Sequence, residues 1–228
     1  RGAAGYGPEN TLRSFRRALD LGVDMIEFDV RLSKDGELVI SHDADLERTA
    51  GVKVLLRDLT LTELKKYDVG KGEHIPTLGE VLDLIDRKVA VNIELKEQGT
   101  ADAAAATIKK YISGQGWAPE LFLVSSFDYR ELSKFAEVNS GARSGVLVRR
   151  NILGALIAAW ICKAYSIHIH HHFLWRWLVR VLQISGFKVF AFWLPDERAL
   201  IKAKKIGVDG IFSDYPDSHF AYFGGINI

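Results

Sequence analysis

The chain has 228 residues, 48% of them hydrophobic and 26% charged, a balance that speaks against a disordered chain and suffices for one large core. Thirty Lys and Arg against 29 Asp and Glu leave a formal charge of +1, so no nucleic-acid partner is expected. The one cysteine, Cys162, cannot close an internal disulfide and fits a reducing compartment, which makes the cytoplasm the expected location.

No stretch reaches the roughly 18 uninterrupted apolar residues of a membrane-spanning helix, and the nearest candidate, Ile152 to Cys162, is too short. The sequence opens on Arg1-Gly2 without an initiator methionine, so a secretion leader upstream stays compatible with it. In chain order, Met25 to Leu32 is the first expected strand. Ser33-Lys34-Asp35-Gly36 then supplies turn chemistry before a second extended run, Glu37 to His42. Four residues hold a hairpin but not a crossover between parallel strands, so this run should fold back over the rim. Helices are expected around Thr60 to Tyr67, where Thr60 and Glu63 make a plausible capping pair, and at Thr77 to Ile85.

Strands resume at Val89 to Leu95, Leu121 to Ser125, Gly145 to Val148, Tyr165 to Ile169, Val189 to Trp193 and Gly210 to Ser213, separated by amphipathic segments. The alternation predicts an α/β chain with a TIM-type (β/α)8 barrel, one domain over residues 1–228 with a small capping insertion at about 44–76. Met25 to Leu32 brings the barrel strands to seven, whereas such a barrel closes with eight. The expectation is that the first strand precedes Arg1. The apolar tail Phe223 to Ile228 is the alternative occupant of that position.

Glu27 and Asp29 alternate along their strand, so both project from one face among Ile26, Phe28 and Val30. Two carboxylates so placed repel each other and lose hydration unless a cation or proton lies between them, and a hard divalent ion such as Mg²⁺ or Ca²⁺ answers both problems. An ordinary outward polar stripe is the bland alternative. Asn92, Glu94 and Lys96 share a face near the C-terminal end of the next strand, where parallel barrels gather their active sites. Glu94 and Lys96 read either as an ion pair or as a metal ligand beside a phosphate contact. His42 ends the hairpin, and pairing across the turn should set it near Glu27 and Asp29, suited to proton transfer.

Two further features stand apart. His168, His170, His171 and His172 form a dense histidine cluster, read as lining the barrel mouth in preference to binding a transition metal. Phe173 to Arg180 mixes aromatic and basic residues at helical spacing. A buried barrel helix is the favoured reading there, and a membrane interface the other.

These residues resemble the glycerophosphodiester phosphodiesterase family, in a series that spans nearly the whole chain. Arg1-Gly2, Pro8-Glu9-Asn10-Thr11-Leu12 with Phe15, Glu27-Phe28-Asp29-Val30, Ser33-Lys34-Asp35-Gly36, and His42-Asp43 with Leu46 and Arg48-Thr49 fall in that family's order. Asn92-Ile93-Glu94-Leu95-Lys96, Ser125-Ser126-Phe127-Asp128, Gly207-Val208-Asp209-Gly210-Ile211 and Ser213-Asp214-Tyr215-Pro216 match its later strands. The resemblance implies a phosphoinositide phospholipase C-like barrel that cuts a glycerophosphodiester into glycerol 3-phosphate and an alcohol through a cyclic intermediate. It implies Glu27, Asp29 and Glu94 as ligands of Mg²⁺ or Ca²⁺, and His42 as one of two catalytic histidines. Arg1 and Lys96 match phosphate contacts, and Trp193 borders the glycerol or leaving group unless it packs in the core. The other histidine belongs immediately before the Arg-Gly pair, a position that precedes Arg1. An omitted N-terminus is the expected account, and an inactive relative the alternative. Action on lipid diesters, as by a lysophospholipase D or sphingomyelinase D, and a non-catalytic glycerophosphodiester-binding barrel are the rival functions. The leaving alcohol and the oligomeric state stay open.

Overall fold

A computed structural model describes residues 1–138, 140–194 and 196–223. After α1 (Leu12–Asp20), β1 (Met25–Leu32) turns into β2 (Leu38–Ile40), pairing antiparallel with Val30 opposite Ile40 and Leu32 opposite Leu38, as the four-residue turn predicts. β3 (Asp45–Leu46), α2 (Glu47–Ala50), β4 (Val52–Leu55) and α3 (Leu61–Leu64) form the insertion. It gathers its own small core of Val39, Leu46, Leu56, Leu64 and Ile75. Thr60 and Glu63 complete the capping box that starts α3, and Thr77 and Glu80 do the same for α4 (Leu78–Ile85).

The remaining chain alternates β5 (Ala90–Leu95), α5 (Thr100–Gln115), β6 (Phe122–Ser126), α6 (Tyr129–Val138), β7 (Arg143–Val148), α7 (Ile152–Ile161), β8 (Ser166–His170), α8 (Arg176–Ile184), β9 (Lys188–Phe192), α9 (Glu197–Ile206), β10 (Gly210–Ile211) and α10 (Pro216–Phe223). The sheet runs β10-β9-β8-β7-β6-β5-β1-β2, with every pairing parallel except β1 to β2. This is the expected α/β barrel architecture, curled with helices outside. Residues 1–5 bridge from β1 toward β10. Gly2 donates its N–H to the Glu27 carbonyl at 3.2 Å, and Gly5 donates to that of Asp214 at 3.0 Å. The tail residues 224–228, considered as an alternative strand, lie outside the described residues.

Period-two burial sorts the strand faces. Ile26, Phe28 and Val30 of β1 and Val91, Ile93 and Leu95 of β5 pack outward on the helix layer in one apolar cluster. That leaves Glu27, Asp29, Asn92 and Glu94 on the inner face, so the bland reading of an outward polar stripe fails. Farther round, the interior is tight. A Cβ at Gly145 would stand 2.8 Å from both the His168 Nε2 and the Ser166 Oγ, which explains glycine there. His168 is fully buried between the rings of Phe190 and Phe212, each 5.2 Å away, and burial pushes its pKa down to about 3. It therefore sits inside the barrel as a neutral imidazole and does not line the mouth. Alternation on β8 puts it below His170, which does reach the rim.

Candidate active site

Parallel pairing of β1 with β5 sets Asp29 opposite Glu94 and Glu27 opposite Asn92. One carboxylate oxygen from each of Glu27, Asp29 and Glu94 lies within 4.8 Å of the others. Asp29 is fully buried, and only 12% of the Glu94 side chain is exposed. Three acids this close cannot all ionise without compensation. Burial, then the charge of Asp29, pushes the Glu94 pKa up to about 7. Burial raises that of Glu27 as well. Burial acts on Asp29 in the same direction, but Lys96, Arg1 and a hydrogen bond from Asn10 outweigh it and hold this carboxyl below its ordinary range.

The compensating cations are those expected from the sequence. The Lys96 Nζ is 2.7 Å from Glu94 and 3.4 Å from Asp29, and the Arg1 Nε is 3.3 Å from Asp29. The backbone nitrogen of Arg1 also hydrogen-bonds the Glu27 carboxylate. Even so, the buried Asp29 Oδ1 accepts no hydrogen bond. An under-satisfied oxygen inside an all-oxygen donor set fits a hard divalent cation. Beside Glu94 and Lys96, a cavity of about 580 Å³ is lined by Phe127, Asp128, Tyr129 and Arg130, room for a small organic ligand.

His42 stands one residue past Ser41, whose N–H donates to the Asp29 carbonyl at 3.0 Å. The Arg31 guanidinium holds the His42 carbonyl at 3.1 and 2.8 Å. The His42 Nδ1 is 2.7 Å from the Asp43 Oδ1. A carboxylate only accepts, so Nδ1 carries a proton, and the tautomer this bond fixes is the one with its acceptor at Nε2. Bonds from His42 and Arg48 overcome burial to hold the Asp43 carboxyl below its ordinary range. Arg48 reaches Asp43 at 2.6 Å and Glu9 at 2.7 Å, and Glu9 meets Arg1 at 3.2 Å. One chain of ion pairs thus runs from the histidine to the acidic cluster.

Sequence reasoning assigned no role to Asn10, Asp43, Arg48 or Glu9. Asn10, in the left-handed region at φ +57°, donates its Nδ2 to the Asp29 Oδ2 at 2.9 Å. A polar run between Pro8 and Leu12 was the available signal, and asparagine tolerates that backbone. Trp193 is 66% exposed past the end of β9, which excludes core packing. Its carbonyl accepts from the His171 Nδ1 at 2.6 Å. His170, His171 and His172 bring one nitrogen each within 4.8 Å, a borderline-metal arrangement beside Trp193, separate in ligand type from the carboxylates. Among the described residues no helix is long and apolar enough to cross a membrane.

The model of the glycerophosphoryl diester phosphodiesterase family matches residues 1–218. A glycerophosphodiester phosphodiesterase of Caldanaerobacter subterraneus is 34% identical, the alignment covering 96% of this chain and 93% of that one. A lysophospholipase D of Mus musculus is 28% identical over 95% of this chain and 82% of its own. Among solved structures, an Oleispira antarctica phosphodiesterase in complex with the product sn-glycerol-3-phosphate superposes with a TM-score of 0.88 at 33% identity, covering 97% of this chain and 94% of that one. A glycerophosphodiester phosphodiesterase from Thermotoga maritima gives 0.80 at 32% identity, over 97% and 95%. Sequence, fold and the inward-facing acids agree, and the chain belongs to the glycerophosphoryl diester phosphodiesterase family.

Proposed function

We propose that the chain hydrolyses glycerophosphodiesters to glycerol 3-phosphate and an alcohol, with Glu27, Asp29 and Glu94 holding Mg²⁺ or Ca²⁺ and His42 transferring a proton. The observation that carries this reading is the convergence of three acidic oxygens within 4.8 Å at the end of β1 and β5, with Lys96 beside them. A bound hard cation supplies positive charge against the phosphoryl oxygens and lowers the pKa of the neighbouring glycerol hydroxyl. Lys96 and Arg1 orient the phosphate through their N–H donors, the guanidinium offering a planar pair.

His42 exposes Nε2 because Asp43 fixes the proton on Nδ1, so its ring can take the hydroxyl proton or return one to the departing alcohol. The glycerol oxygen bonds to phosphorus as the alcohol leaves, and water then opens the cyclic phosphate. The first step takes one proton from the glycerol hydroxyl and gives one to the departing alcohol, and the ring-opening step reverses both transfers. Trp193, exposed just past β9, would border the glycerol or leaving group.

The test is hydrolysis of glycerophosphocholine with Mg²⁺ or Ca²⁺, glycerol 3-phosphate being the quantified product. Release of phosphocholine in its place, or turnover unchanged in Glu94→Gln, would overturn the reading. The lipid-diester alternative draws on the exposed rings of Phe127 and Trp193 at the mouth and on the lysophospholipase D relative. It predicts faster cleavage of lysophosphatidylcholine than of glycerophosphocholine.

A further inference from the structure

A near-neutral total hides an uneven distribution of charge. No Asp or Glu stands between Glu137 and Asp196, a stretch that carries seven Lys and Arg. Folded, it forms the adjacent strands β7, β8 and β9 and the helices α7 and α8 that cover them. α7 holds no charged side chain, although only Ala155, Ala158 and Ala159 are buried against the barrel. Leu153, Ile157, Trp160 and Ile161 recur on its opposite side and face solvent, Leu153 with 70% of its surface exposed. α8 repeats the pattern. Leu178, Val179 and Leu182 bury, while Trp177, Val181 and Ile184 form an outward stripe, Ile184 being 85% exposed.

The Trp160 ring meets Phe187, just past α8, edge-on at 5.7 Å and so ties the two stripes together. An outer barrel helix ordinarily displays charged and polar residues to water. Two neighbouring helices with apolar outer faces make a contiguous patch of the kind that marks a docking surface.

The rim of the patch identifies its occupant. Arg149, Arg150, Lys163 and Arg180 are exposed around it, and none pairs with an acid among the described residues. Next to it, Arg176, Arg198, Lys202 and Lys205 line a groove of about 570 Å³ with Trp175 and Trp177, whose rings stack at 5.9 Å. A second copy of this face would press like charge on like charge in a two-fold contact. An anionic bilayer suits every part. Its phosphates pair with Arg and Lys, indole rings favour the interfacial layer, and the apolar stripes enter the acyl boundary.

We infer that the α7–α8 face docks the barrel side-on to an anionic lipid bilayer. Barrel helices run back antiparallel to the strands, so both helices begin at the catalytic mouth. Docking therefore holds that mouth, with Trp193 on its rim, at the edge of the membrane.

The full chain should cosediment with vesicles of phosphatidylcholine containing about 30% phosphatidylglycerol, with a blue-shifted tryptophan emission, and at least tenfold more weakly with pure phosphatidylcholine. The double variant Ile157→Glu with Val181→Glu should lose at least tenfold in vesicle affinity. Both side chains are exposed, so it should keep the wild-type melting curve and its turnover of a water-soluble diester. Arg150→Gln should lose about fivefold, the share of one basic residue near an anionic surface. Three results would each overturn the inference: no binding to either vesicle, equal binding by wild type and double variant, or a wild-type dimer in light scattering that the double variant dissociates.

Discussion

Replacing Glu94 with Gln should abolish turnover and, in chelator, make the protein more stable above neutral pH. The carboxyl is pushed up to about 7 from its ordinary 4.5, by burial first and by Asp29 second. Holding it there disfavours its ionised form in the folded chain by about 3 kcal/mol. The sign follows from which state ionises first. Below pH 4.5 Glu94 is neutral in both states and costs nothing. Between 4.5 and 7 the unfolded chain gives up this proton first, so stability falls as pH rises, and above 7 the loss is complete. That penalty is already net of the attraction of Lys96 at 2.7 Å, which pulls the Glu94 pKa down against burial. Gln stands in for the neutral acid and so should gain about 3 kcal/mol at pH 8, roughly 6–12 °C in Tm for a chain of this size. Thermal melts of both proteins in chelator, at pH 4 and pH 8, give the answer. A variant that melts below wild type at pH 8 would make Glu94 a structural partner of Lys96 and refute the argument.

Asp43→Asn should leave the fold intact and lower kcat about 100-fold with little change in KM, because the 2.7 Å bond that fixes the His42 tautomer is weakened. Steady-state kinetics across pH checks this, and unchanged kcat would release His42 from its role. Chelation should stop turnover, with Mg²⁺ or Ca²⁺ at about 100 times Kd restoring it and adding about 2.7 kcal/mol of stability in a calorimetric melt. Full activity in chelator would rule out the metal. Gly145→Ala should destabilise by about 1–3 kcal/mol in denaturant titration, since its methyl would stand 2.8 Å from the His168 Nε2 and the Ser166 Oγ. An unchanged midpoint would mean that the barrel interior yields there.

The strands were legible because each carries its burial in its own period. Met25–Leu32 matches its expected bounds, and the other barrel strands fall within one or two residues of theirs. Hairpin geometry was legible for a steric reason, since four residues permit only an antiparallel return. What sequence withheld was depth along a strand. His168 and His170 share a face by alternation, yet one is sealed between Phe190 and Phe212 and the other reaches the rim. Only the stagger of β7, β8 and β9 decides which. Spacing also could not reveal the path from His42 through Asp43, Arg48 and Glu9 to Arg1, whose members come from the segment before α1, the loop after β2 and the helix α2.

That path bears on why these acids are tolerated in the folded chain. A cage of carboxylates assembled without cations would protonate, and a protonated cage holds metal poorly because ligand oxygens must first lose their protons. Here Lys96 and Arg1 keep Asp29 ionised while Glu94, buried and facing the Asp29 charge, drifts toward neutrality. The cluster then carries less than its full formal charge. If these acids hold a divalent ion as proposed, Asp29 would offer an oxygen already ionised, and Glu94 would have to lose its proton first. Removing the Arg1 side chain should weaken metal binding through Asp29, although the guanidinium is not itself one of the metal ligands. Isothermal titration of Arg1→Ala with Mg²⁺ or Ca²⁺ against wild type tests this, and equal affinities would show that Lys96 alone keeps Asp29 charged.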